Sequence, residues 1–185
     1  MSRLFVIYGI IAGLIVAIPM DWRMLTLKPG ENHDGLLIGY LTMIVGMTVV
    51  FFGIKHYRDK VLGGVIKFGR AFVVGLGISF VASLVYAIGW EITLKFMSYD
   101  FAAHYAKSMV DHAVAAGATP EQLAKATADA DAFTKIYSNP FLRLPMTFIE
   151  LFPVGILVSL VSAGLLRNSR LLPATTFSAP TKQAE

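Results

Sequence analysis

AFVVGLGISFVASLVYAIGW, Ala71–Trp90, runs for twenty residues without a charge and carries small residues at helical spacing. At 1.5 Å per residue such a run spans the roughly 30 Å hydrocarbon core of a bilayer. Three more stretches share its length and apolar character: Leu4–Met20, Leu36–Ile54 and Met146–Leu166. Glu150 is the only acid within any of the four. Together they predict an all-α protein, a four-helix transmembrane bundle with an extramembrane helical hairpin between the third and fourth spans.

Composition agrees. Of 185 residues, 56% are hydrophobic and only 15% charged, against roughly 25% in soluble domains. One membrane domain over residues 1–172 accommodates the spans, and the tail 173–185 reads as a disordered cytoplasmic segment without periodicity. Leu4–Met20 exceeds the usual 7–15-residue core of a leader peptide, and Ile18-Pro19 makes a poor cleavage junction, so it reads as a retained span.

Orientation follows from Lys and Arg near the span ends. Lys55–Arg70 contains five basic residues: Lys55, Arg58, Lys60, Lys67 and Arg70. Arg3, Arg167 and Arg170 fall on the same side if there are four spans. That side is expected to be cytoplasmic, with both termini on it. The five residues of the corner are candidate contacts for anionic headgroups, their stems lying in lipid while their tips reach the interface. Asp59 is expected to pair with the neighbours of Arg58 or with Arg70, and Gly63-Gly64 to permit a tight reversal. Trp22 and Trp90 fall at the opposite interface, where an amphipathic indole is favoured.

The connection before the last span has its own helical signals. Tyr99–Ala116 reads as one helix ended by Gly117. Thr119-Pro120-Glu121-Gln122 is a capping box with proline at the first helical position, and starts a second helix reaching Tyr137. The hairpin thus covers about 99–137. The third span is expected to continue as far as Phe96, with Glu91 and Lys95 reaching toward the interface.

Small residues recur on every span: Gly9, Gly13, Ala17; Gly39, Gly46, Gly53; Gly75, Ser79, Ser83, Ala87; Gly155, Ser159, Ala163. Helices associate in lipid through close backbone approach and interhelical hydrogen bonds, so these stripes read as packing faces.

Few residues point to chemistry. Glu150 is a candidate intramembrane acid, since such groups are costly and often serve ion pathways. Pro153 frees a backbone carbonyl close to it. Arg143, one heptad earlier, or Lys95 is an expected partner. Asp100, His104, Asp111 and His112 lie on or near one face of the first hairpin helix, and His33 could join them. Their spacing falls short of a metal site, and an Asp100–His104 pair is the simpler expectation. With no cysteine, thiol catalysis, disulfides, iron–sulfur clusters and thiolate zinc are excluded. No nucleophile-elbow, zinc-protease or phosphate-loop pattern occurs, so no catalytic residue, cofactor site or metal site is assigned. No basic stripe interleaved with aromatics points to nucleic acid.

The stretch Phe52-Gly53-Ile54-Lys55-His56-Tyr57-Arg58-Asp59, then Gly63-Gly64-Val65-Ile66-Lys67-Phe68, resembles a family of small bacterial four-span membrane proteins catalogued as a domain of unknown function. Tyr86-Ala87-Ile88-Gly89-Trp90 and Asp100-Phe101 extend the likeness, which covers roughly Leu4–Arg167. The resemblance implies four helices with a long connection before the last, and carries over no activity or site. A non-enzymatic scaffold or accessory subunit is the leading expectation. Its partners are the lipid bilayer and a membrane protein or a second copy. A small oligomeric permease using Glu150 is the alternative.

Overall fold

A computed structural model describes residues 2–26, 35–170 and 172–173 of the chain. Its helices are α1 (Ser2–Thr26), α2 (Gly35–His56), α3 (Phe68–Phe96), α4 (Phe101–Ala115), α5 (Pro120–Tyr137) and α6 (Pro140–Leu166). There is no strand among the described residues. Four helices are long and apolar enough to cross a membrane: α1, α3, α6, and α2 together with the wider turn Tyr57–Val61 that extends it. Each outruns its apolar stretch, because the helical ends continue past the hydrocarbon-length core. His33 and nearly all of the predicted tail lie outside the described residues.

The four spans pack as a bundle. α3 lies against both α1 and α6, and α2 closes the bundle against α1 and α6. The small-residue stripes are the contact faces. A β-carbon at Gly13 would come within 2.8 Å of the Ala82 carbonyl oxygen, and one at Gly9 within 2.9 Å of that of Ile78. Glycine there lets α1 lie directly on the α3 backbone. Gly75 meets Ser159 and Gly155 meets Ser79, so the α3 and α6 stripes interlock reciprocally. Ser79 and Ser159 share a 3.2 Å hydrogen bond at the centre, and the Ser159 hydroxyl also donates to the Gly155 carbonyl at 2.7 Å. Toward the chain's ends the interior is mainly apolar: Val50, Ile54, Ala71, Val74, Ile78, Ala163 and Leu166 are all buried, with Ser162 and Arg58 beside them.

The hairpin forms as its caps dictate. The Asp100 carboxylate accepts from the Ala103 amide at 3.1 Å, which starts α4 at Phe101, two residues later than the sequence suggests. Gly117 turns the chain at φ +73°, and Thr119 with Gln122 completes the capping box. α5 ends at Tyr137, and the Asn139 side chain caps α6, accepting from the Phe141 amide at 3.0 Å.

Candidate functional site

The hairpin is tied to the bundle by a polar and aromatic cluster. Trp90, near the end of α3, donates its indole N–H to the Tyr137 hydroxyl at 2.5 Å. Phe101 packs edge-on to Trp90, and Phe133 stacks on Tyr137. Arg143, in the first turn of α6, grips Glu91 of α3 with two 2.6 Å bonds and donates a third, also 2.6 Å, to the Tyr137 carbonyl. Its guanidinium stands 5.3 Å from the centre of the Tyr137 ring. One arginine therefore fixes α3, α5 and α6 together. Burial, the main cause, pushes the Tyr137 phenol up to about 12, and burial raises Tyr99 as well.

This geometry corrects two expectations. Arg143 pairs with Glu91, not with Glu150, and Glu91 turns onto the bundle instead of reaching outward beside Lys95. The reason is reach. Arg143 and Glu91 sit at matching heights on adjacent antiparallel helices, whereas Glu150 lies two turns deeper.

Glu150 finds Tyr86 instead. The phenol of Tyr86, itself almost wholly buried, lies near the Glu150 carboxyl across the α3–α6 interface. Glu150 itself is exposed on the flank of the bundle. Asp21 of α1 also approaches Tyr86. Its carboxyl lies near the Thr93 hydroxyl and against Gly89, and is close enough to act electrostatically on Tyr86. One of its oxygens, Oδ1, is buried without a hydrogen-bond partner, as is the Ser83 hydroxyl one turn before Tyr86. Thus a buried tyrosine lies near two carboxylates, Glu150 and Asp21. Sequence reasoning singled out Glu150 and missed Asp21 and Tyr86. The signal was present: Asp21 continues the stripe Gly9, Gly13, Ala17 by one more turn, which places it on the face packed against α3.

At the opposite end the basic corner divides. Arg58 is fully buried. Its Nε donates to Asp59 at 2.7 Å, Nη1 lies 3.5 Å from the Leu166 carbonyl, and Nη2 donates to the carbonyl of Leu172. It therefore does not snorkel to headgroups as the sequence suggests. The last carbonyls of α6 lack intrahelical donors, and a cation there also complements the helix dipole. Asp59 is shared between Arg58 and Lys55, the latter at 2.6 Å, and so is taken from Arg70. Arg70 instead lies 5.9 Å from the Tyr57 ring centre. Gly63 and Gly64 hold positive φ and make the reversal into α3. Lys60, Lys67 and Arg70 remain exposed.

The expected Asp100–His104 pair does not form. Asp100 is committed to its cap and His104 lies edge-on to the Tyr99 ring at 5.3 Å. Among the described residues no three His, Asp or Glu side chains converge.

A family model described as "Protein of unknown function (DUF4199)" matches residues 7–168, almost the whole folded region. The chain belongs to the DUF4199 family. Membership fits the resemblance carried by the Lys55–Asp59 corner and brings no activity with it. No curated protein and no solved structure matches the chain. With its four apolar helices, this DUF4199 chain is a membrane protein.

Proposed function

We propose that the protein is a non-enzymatic scaffold or accessory subunit of the bacterial inner membrane, presenting the α4–α5 hairpin to a membrane-protein partner. The observation that carries this proposal is the clamp on the hairpin. Arg143 and the Trp90–Tyr137 bond hold it against the bundle, so a partner meets a surface ordered in advance. Binding a pre-organised surface avoids the entropy cost of ordering a loop. Only Ala102, Ala130 and Tyr137 of the hairpin are buried, which leaves Tyr105, Val114 and Ile136 exposed for contact. Both termini and Lys55–Arg70 face the cytoplasm, in keeping with the basic residues gathered at that end. Reporter fusions at Lys60 and at Gly117 test this orientation; signals on the same side refute it.

Crosslinking in native membranes, followed by mass spectrometry, tests the role. Removing residues 99–137 is expected to spare insertion and eliminate a crosslinked partner. An unchanged partner set after the deletion refutes the proposal.

Glu150 supports a second reading, a small oligomeric ion-coupled permease. The observation in its favour is that Glu150 and Asp21 both lie near the buried Tyr86 phenol. Against it, the polar line down α3 stops at Ser79, and the fully buried Val50, Ile54 and Ile78 follow. Reconstituted protein whose flux is lost in Glu150→Gln supports the permease; protein with no flux, or with flux unchanged by the substitution, removes Glu150 from any transport role.

A further inference from the structure

We propose that the basic end of the bundle binds an anionic phospholipid, one acyl chain lying in the groove between α2 and α6 and the phosphate held by the cations at its mouth. The groove has a volume of about 600 Å³ and is lined by residues such as Phe51, Phe52, Leu157, Val161 and Leu165. That volume falls within the roughly 300–1,000 Å³ typical of sites for small molecules. Its lining is almost wholly apolar. The Thr48 hydroxyl at its wall is already donated to the Val45 carbonyl, so the groove asks for a hydrocarbon occupant, not a polar one.

What the groove leads to decides between occupants. On α2 the lining residues Thr48, Phe51 and Phe52 are followed one turn on by Lys55. On α6, Val161 and Leu165 are followed by the segment that carries Arg167 and Arg170. Arg167, Arg170, Lys60 and Lys67 are exposed and have no carboxylate partner among the described residues. Among the described residues the one acid at this end, Asp59, is consumed by Arg58 and Lys55. An apolar trough that ends among unanswered cations matches the two parts of an anionic lipid. A helix from a second copy would fill the trough and leave those charges unanswered. The inference rests on the membrane setting and not on the scaffold role, so either can fail without the other.

The chain's two tryptophans, Trp22 and Trp90, sit on the last turns of α1 and α3, at the other end, which leaves the groove open to a reporter. The full chain carrying Phe52→Trp is reconstituted in phosphatidylcholine vesicles with brominated phosphatidylglycerol or brominated phosphatidylcholine, and the quenching added by the new indole is measured. The anionic lipid is expected to be favoured by about fivefold for each cation its headgroup engages. Arg167→Gln with Arg170→Gln should remove most of that preference while the helical circular dichroism stays unchanged. Val161→Trp, which fills the trough, should abolish the preference in a competition read by lipid retained through purification. Equal quenching by the two lipids overturns the proposal. So does a preference that survives the filled trough, since it then reflects diffuse surface charge. In a chain with no native cysteine, efficient disulfide crosslinking of Phe52→Cys between copies would place a second copy in the groove and overturn it too.

Discussion

Two arginines turn inward at opposite ends of the bundle, and they do different work. Arg58 is sealed from solvent and closes the end of α6, holding the carbonyls of Leu166 and Leu172 and the Asp59 carboxylate. Arg143 is about one-seventh exposed, and its partner Glu91 one-fifth, the side chains being 14% and 20% accessible. It holds one carboxylate and one carbonyl, and it fastens an appendage to the bundle. The first arginine is part of how the spans stay together. The second governs whether the hairpin is docked. Leu172 sits at φ +56°, a left-handed region that leucine seldom occupies, while its carbonyl accepts from Arg58.

The largest expected effect is therefore at Arg58. Arg58→Gln removes one of the two cations on Asp59 and the donor to two carbonyls, and should lower stability by about 3 kcal/mol, the low end of the cost of breaking a buried pair because Lys55 still holds Asp59. Arg58→Lys should recover little, because a single ammonium cannot reach three acceptors spread around a planar fork. Unfolding of the detergent-solubilised protein in a denaturing detergent, followed by helical circular dichroism, reads this directly. An unchanged midpoint in Arg58→Gln would place the residue among ordinary topology signals.

Arg143→Gln should cost less, about 2 kcal/mol, since its pair is partly open to solvent and correspondingly screened. Its signature should also be local. Amide hydrogen exchange is expected to accelerate across Phe101–Tyr137, with the bundle amides of α1 to α3 unaffected. Exchange that rises equally in α1 and α2 would mean that the hairpin and the bundle form one cooperative unit, and the contrast between the two arginines would be lost.

Much of the fold was legible in the sequence because its signals are local. Span length, the Thr119–Gln122 box, the extension of α3 to Phe96 and the Gly63-Gly64 reversal each depend on neighbours within a few residues. The small-residue stripes also fixed which faces meet, since a helix can approach another backbone only where side chains are absent. The polar sites were less legible, because partner choice is a matter of height and rotation between helices. Arg58 and Lys60 lie two residues apart and differ in the sequence in nothing that says which turns inward. The wider turn at Tyr57–Val61 rotates Arg58 beneath α6 and leaves Lys60 outside. Likewise Arg143 and Glu150 share a helix face, yet the stagger of α3 against α6 gives the one Glu91 and the other Tyr86. Asp21 was hidden by its place at a span end, where acids are ordinarily solvated.

The smallest effect, absent at neutral pH, sharpens the same contrast at the docked end. Burial holds the Tyr137 phenol neutral up to about 12, against an ordinary value of 10.0. A group whose folded value is raised contributes stability that is complete below its unfolded value and disappears as pH rises through the folded one. Hairpin docking should therefore hold up to pH 10 and weaken between 10 and about 12, as the unfolded form gains the ionised phenol. Hydrogen exchange has to be normalised for its own base catalysis, so tryptophan emission from Trp90 against the Tyr137 hydroxyl is the cleaner probe. Trp22→Phe isolates that signal, and Tyr137→Phe should abolish the alkaline transition while leaving the neutral-pH emission of a docked hairpin. A transition that persists in Tyr137→Phe assigns the loss to another group and removes the phenol from the docking equilibrium.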